Sequence, residues 1–161
     1  NYVFVGDYPT TDQQWEFTAT AVNEWHHVAC GYDATSVSNN PVCWIDGASV
    51  TVADPGNPAG TFANTDLFVV GNTSGSSRTW DGQLAECFYH NRVLTTSEVK
   101  SIAYCGPKSI PNGLIGYWPL GEFLGLNLTT TASLNLTVTA GAGGVLHTGP
   151  PIAYVQGDVC E

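Results

Sequence analysis

The sequence predicts an all-β fold, a sandwich of two antiparallel sheets with one short helix, on three observations. Short apolar runs with period-two alternation recur between turn signals along most of the chain. Gly, Ser, Thr, Asn and Pro are abundant while charged residues make up only 11%, a composition suited to many strands joined by turns. Only one stretch, Thr95 to Ala103, carries helix signals.

Taken in order, Tyr2 to Val5 is expected as a strand ended by Gly6-Asp7-Tyr8-Pro9. Gln14 to Ala21 is a second, with Trp15, Phe17 and Ala19 alternating against polar neighbours. Trp25 to Tyr32 leads through a Ser- and Asn-rich loop to Val42-Cys43-Trp44-Ile45, and Asp46-Gly47 turns the chain into Ala48 to Ala53. If these segments pair in the register that sets Cys30 opposite Cys43, Val28 faces Ile45 and the apolar parities agree. A Cys30 to Cys43 disulfide is therefore expected. Residues 54 to 60 form a loop with two Pro and two Gly, Thr65 to Val70 another strand, and Gly71 to Arg78 an exposed turn.

Leu84 to Tyr89 is apolar on both alternating faces apart from Glu86, as in a strand covered on each side. A helix over Thr96 to Tyr104 follows. Thr95 and Glu98 make a capping box, Leu94 and Val99 are spaced as a hydrophobic staple, and Gly106-Pro107 stops the helix. At about ten residues the helix is marginal by itself, so its Val99, Ile102 and Ala103 stripe must dock on other structure. Gly113 to Leu120 is expected as an inner strand ended by Pro119, and Leu at spacing two in 124 to 138 marks strands with one buried face.

With 161 residues, 43% hydrophobic, the chain can bury one proper core, and residues 1 to 161 are expected as a single domain. Strand character beginning at Asn1-Tyr2 leads to the expectation that further N-terminal strands precede it. A net charge of -10 repels phosphate backbones and anionic lipid, so nucleic-acid partners and membrane insertion are not expected. No apolar run reaches the roughly 18 residues of a membrane span. Five cysteines show no zinc-type spacing. Beyond Cys30 and Cys43, a second bridge using Cys105 or Cys160 is expected, and Cys87 reads equally well as a bridge partner or a buried small hydrophobe. Disulfides imply an oxidising or extracellular setting, or a particle surface.

Three blocks, Trp25-His26-His27-Val28-Ala29, Trp44-Ile45-Asp46-Gly47, and Trp80-Asp81-Gly82-Gln83-Leu84-Ala85-Glu86 through Arg92-Val93-Leu94-Thr95-Thr96-Ser97-Glu98-Val99, resemble in order and spacing the laminin-G-like family of the concanavalin A-like lectin/glucanase superfamily. The resemblance covers roughly residues 20 to 125 and implies a jelly roll. Gly113 to Leu120 with Pro150-Pro151-Ile152 resembles a C-terminal extension found on such domains in bacteriophage structural proteins. It implies that residues 113 to 161 pack on the same sandwich.

The functional expectations follow. His26 and His27 are adjacent, so on a strand they face opposite ways and cannot grip one ion together. Catalysis by a glucanase relative needs two carboxylates converging on one glycosidic bond. No stretch carries the alternating acids of the superfamily's glucanases, and Glu86, the lone acid on its strand, has a structural counterpart in the family, so no catalytic residue is assigned. No cofactor is assigned; many laminin-G-like domains hold calcium at a loop edge, and by that resemblance the candidate ligands are Asp33, Asp66, Asn72 and Asp81. Sugar recognition needs an exposed aromatic beside polar groups, and Tyr8 and Trp80 are the candidates. The function implied is that of a non-enzymatic virion structural protein at the virion surface, a capsid decoration or tail appendage. It would form a homo-oligomer or symmetric array with capsid or tail proteins and adhere to host-surface glycans. The alternative is a secreted carbohydrate-binding module.

Overall fold

A computed structural model describes residues 2–6, 13–18, 21, 23–53, 70–71 and 83–118. The chain divides into two compact units, one of residues 1–80 with 92–100 and the other of 81–91 with 101–161. The described residues are mostly β, with antiparallel sheets and a single α-helix.

In the first unit, β1 (Tyr2–Gly6) pairs antiparallel with β2 (Gln13–Phe17) from Tyr2↔Phe17 to Gly6↔Gln13. The expected alternation is visible in β2, where Trp15 and Phe17 are buried and Gln14 is exposed. This strand ends at Phe17, four residues short of the expected Ala21. A second sheet runs in the order β3 (Val28–Gly31), β4 (Val42–Ile45), β5 (Ala48–Val50). An isolated bridge between Glu16 and Ala53 ties the segment after β5 to β2 through the Ala53 N–H to the Glu16 carbonyl, 2.8 Å.

The β3–β4 register is Val28↔Ile45, Ala29↔Trp44, Cys30↔Cys43, the pairing that apolar parity requires. Cys30 and Cys43 form a disulfide with Cα atoms 4.1 Å apart. The loop between these strands is held by its own turns: Thr35 N–H donates to Asp33 Oδ1, Asn39 N–H to the Ser36 carbonyl, and Asn39 Nδ2 to the Asp33 carbonyl. At the other end, Asp46 (φ 51) and Gly47 (φ 76) make a two-residue turn with both central residues left-handed, joining Ile45 to Ala48 across the β4–β5 pair.

The buried apolar set of this unit is Trp15, Phe17, Cys43, Trp44, Leu94 and Val99. Each indole N–H in this set is satisfied, Trp15 Nε1 by Asn40 Oδ1 at 3.2 Å and Trp44 Nε1 by Thr96 Oγ1 at 3.1 Å. The second bond ties β4 to the start of helix α1 (Thr96–Cys105).

The start of α1 follows its sequence signals. Glu98 N–H donates to Thr95 Oγ1 at 3.3 Å and Thr95 N–H donates to Glu98 Oε2 at 2.8 Å, the reciprocal capping box. Leu94 and Val99, the staple pair, are both buried. Arg92 adds a two-pronged contact to the Glu98 carboxylate at 3.0 and 2.6 Å. At the far end Gly106 (φ 81) donates its N–H to the Ile102 carbonyl at 2.8 Å, a left-handed stop. Pro107 then opens a 3-10 turn, Pro107–Ser109.

These contacts set a pH dependence. Hydrogen bonding to Arg92, with the Thr95 amide, pulls the Glu98 carboxyl from its ordinary 4.5 down to about 2. A depressed carboxylate pKa stabilises the fold above the unfolded-state value and ceases to do so as protons are taken up. The expected result is a loss of stability between pH 4.5 and about 2 that is smaller in Glu98→Gln. Because the pair faces solvent, added salt should shrink the difference. Identical acid limbs for parent and variant in thermal melts would refute it.

In the second unit, β6 (Cys87–His90) pairs antiparallel with β7 (Leu114–Trp118), with a register shift between Tyr89 and His90. Ile102, Pro107 and Trp118 are its buried apolar side chains among the described residues. β6 starts three residues later than the apolar run suggests. Glu86 has φ 53, a left-handed backbone that cannot continue a strand, so Leu84 to Glu86 lie outside the ladder. Tyr89 is 43% exposed, so that face of β6 is not covered as expected. The expected strands at 65–69 and 124–138, and Pro119 to Leu120, lie outside the described residues.

Candidate functional site

The feature with the most chemistry in the first unit is built around Asp46, at the turn that closes the base of the β3–β4 hairpin. Extending the Val28↔Ile45 register by one step puts His27 opposite Asp46. The backbone pairing does continue there, with Asp46 N–H donating to the His27 carbonyl at 2.8 Å. The Asp46 carboxylate then folds back across the pair. Its Oδ1 accepts the His27 backbone N–H at 2.9 Å, and its Oδ2 lies 2.8 Å from His26 Nδ1. On the far side of the ring, His26 Nε2 is buried and 3.9 Å from Glu24 Oε2.

The two histidines have different work. His26 is oriented by one carboxylate and faces a second, while burial lowers the His27 pKa against the opposing pull of Asp46, keeping the ring neutral. Neither lies on β3, which begins at Val28, so the expected opposite facing of two strand neighbours does not describe them. Ahead of them, Asn23 takes φ 66 and Trp25 stands 47% exposed. Trp15, Trp44 and Trp118 are buried, so Trp25 is the outlier among the described tryptophans. Sequence reading passed over it because its block looks like a core strand. The usable signal was the same one-step register extension, which places a turn carboxylate beside a Trp-His-His segment.

The sugar-binding candidates Tyr8 and Trp80 lie outside the described residues, as do Asp66, Asn72 and Asp81 of the calcium set. Asp33 is described and exposed. Its carboxylate caps the turn at Thr35, and the Thr35 hydroxyl and amide hold its pKa below the usual carboxylate value. Among the described residues no three His, Cys, Asp or Glu side chains gather as a metal cage, and no helix is long and apolar enough to cross a membrane.

In the second unit, Glu86 accepts the Tyr117 hydroxyl at 3.1 Å, and Lys108 Nζ lies 5.3 Å from the centre of the Tyr117 ring. Burial raises the Glu86 pKa, opposed by that hydroxyl and by the Lys108 charge. The left-handed Glu86 backbone and this bond together fix the step into β6, a positional role. His90 Nε2 donates to the Ile110 carbonyl at 2.9 Å. Cys105 is disulfide-bonded to a partner outside the described residues. Cys87 is a free thiol.

Burial pushes the Cys87 thiol up to about 11, leaving almost no thiolate at neutral pH. Native protein should therefore be alkylated by iodoacetamide at pH 8 far more slowly than denatured protein. Equal labelling rates in the two states would show that the side chain is open to solvent.

With this geometry in hand, a laminin-G-type family model described as the concanavalin A-like lectin/glucanases superfamily matches residues 2–100. No curated protein and no solved structure matches the chain.

Proposed function

Because the chain belongs to the concanavalin A-like lectin/glucanases superfamily, which gives it a carbohydrate-binding-type fold, we propose that it is a non-enzymatic jelly-roll module at the surface of a virus particle. In this reading it is a capsid decoration or tail appendage, able to hold host-surface glycans.

The observation that supports the non-enzymatic part is how four of the described acids are used. Glu98 is bound by Arg92 and Thr95, Glu86 by Tyr117, Asp46 by His26 and His27, and Asp33 by Thr35. Glycoside hydrolysis requires one free carboxylate opposite a second with a raised pKa, set about 5 to 9.5 Å apart across the bond to be cut. Glu86 has a raised pKa, but its carboxylate is engaged by Tyr117 beside a strand start. In this reading the family module supplies a scaffold and a surface.

Support for the particle setting comes from the resemblance of residues 113 to 120 and 150 to 152 to phage structural proteins, from the disulfide chemistry and from the net charge of -10. The secreted carbohydrate-binding module is the second reading, and the same superfamily membership favours it. Electron microscopy of the native source, with antibody against this chain, separates them. Label arrayed on capsids or fibres is the expected result, and label confined to free monomer would replace the virion reading with the secreted one. A screen of the intact protein on a glycan array tests the binding function shared by both.

A further inference from the structure

We propose that His26 Nε2 and the Glu24 carboxylate form a two-ligand seat for a divalent transition-metal ion of the zinc class, with Asp46 orienting the histidine from behind. The seat is independent of the glycan reading above. It pairs nitrogen with oxygen, unlike the all-oxygen calcium set of Asp33, Asp66, Asn72 and Asp81.

The placement of protons makes the seat. An ionised carboxylate only accepts hydrogen bonds, so the 2.8 Å contact with Asp46 Oδ2 puts a proton on His26 Nδ1. In the neutral ring Nε2 is then a bare lone pair. That atom is buried with no hydrogen-bond partner, and Glu24 Oε2 stands 3.9 Å from it. A buried acceptor facing a second acceptor is unfavourable, and a cation between the two turns both into ligands.

The distances suit such an ion. Metal–nitrogen and metal–oxygen bonds of about 2.0–2.2 Å at a tetrahedral angle place the two donor atoms roughly 3.4 Å apart. Closing from 3.9 Å takes a small swing of the Glu24 side chain, which is 68% exposed. His26 stays where Asp46 holds it. A carboxylate on the far nitrogen of a metal-bound imidazole fixes its tautomer and raises its basicity. Asp46 is itself anchored by the His27 N–H, which makes it a positioning residue. Imidazole nitrogen suits zinc, copper or nickel, whereas calcium takes about six to eight oxygens. Two protein ligands leave the remaining positions to water. Bound there, the ion would fasten the segment before β3 to the base of the hairpin.

The test adds Zn2+ to the intact, disulfide-bonded chain near neutral pH and follows it by calorimetry, thermal melting and nitrogen-15 NMR of the histidine rings. One saturable equivalent, a higher melting temperature and a coordination shift at His26 Nε2 are expected. Metal-free protein should already hold His26 in the Nδ1–H form. Glu24→Gln should weaken Zn2+ binding about tenfold or more, with the metal-free melting temperature unchanged. Asp46→Asn should weaken it by about 10–100-fold and release His26 from the single tautomer, which a merely structural role for Asp46 would not do. No saturable binding, or a coordination shift at a different histidine, overturns the proposal. So does undiminished affinity in Glu24→Gln, or a proton resting on Nε2 in the metal-free protein. Ca2+ competing with Zn2+ on equal terms would overturn the class of ion assigned.

Discussion

Gly47→Ala is expected to lower the unfolding free energy by about 2–5 kcal/mol, combining left-handed strain of roughly 1–2 kcal/mol with overpacking of about 1–3. Gly47 has φ 76, and a Cβ added there would lie 2.9 Å from the Lys100 Cα and 3.2 Å from its Cβ and Cγ. The nearest obstacle is helix backbone, which cannot swing aside as a side-chain tip could. Urea unfolding with an unchanged slope and a lower midpoint is the expected readout. Gly47→Asn separates the two causes, because Asn tolerates the left-handed conformation yet still meets the helix. If Asn is nearly as damaging as Ala, close approach dominates. An alanine variant within about 0.5 kcal/mol of the parent would mean that turn and helix are not in contact in solution.

Removing the Cys30–Cys43 bridge as the double variant Cys30→Ala/Cys43→Ala should cost about 2–4 kcal/mol. The linked residues are 13 apart, and closing a loop of that size removes about 3 kcal/mol of freedom from the unfolded chain. Cys43 is fully buried, so lost packing adds to the loss while alanine avoids burying a hydroxyl. The strands should survive, since the loop has its own turns and Asp46 clamps the opposite end of the hairpin. The double variant is a cleaner probe than reductant, which would also open the bridge at Cys105. A denaturation midpoint equal to the parent's would show that the bridge constrains nothing the fold does not already hold.

The parts legible in the sequence were those where two independent local rules agreed. Apolar parity and a cysteine on each strand both pointed to Cys30 opposite Cys43, and Thr95, Glu98, Leu94 and Val99 jointly marked one helix start. What escaped were features that residue type does not encode. Nothing about a glutamate announces φ 53 at Glu86, so β6 was read three residues too long at its start. The expected strand from Trp25 begins only at Val28, because beside it the Asp46 side chain takes the His27 N–H that a ladder carbonyl would accept. Burial cannot be read from a Trp letter either, and in a sandwich most tryptophans are core, which is why Trp25 was hidden among its buried fellows.

The Trp44 to Thr96 bond also bears on the order in which the first unit assembles. It joins residues 52 apart, whereas the Cys30 and Cys43 strands are 13 apart. Loop-closure entropy rises by about 0.6 kcal/mol per doubling of length, so docking the helix start on β4 carries roughly 1.2 kcal/mol more closure cost than zipping the hairpin. The hairpin should therefore form first, offering a ready surface on which Thr96 and Lys100 later settle. Substitutions at Val28 and Ile45 should accordingly slow folding, whereas those at Thr96 should mainly quicken unfolding.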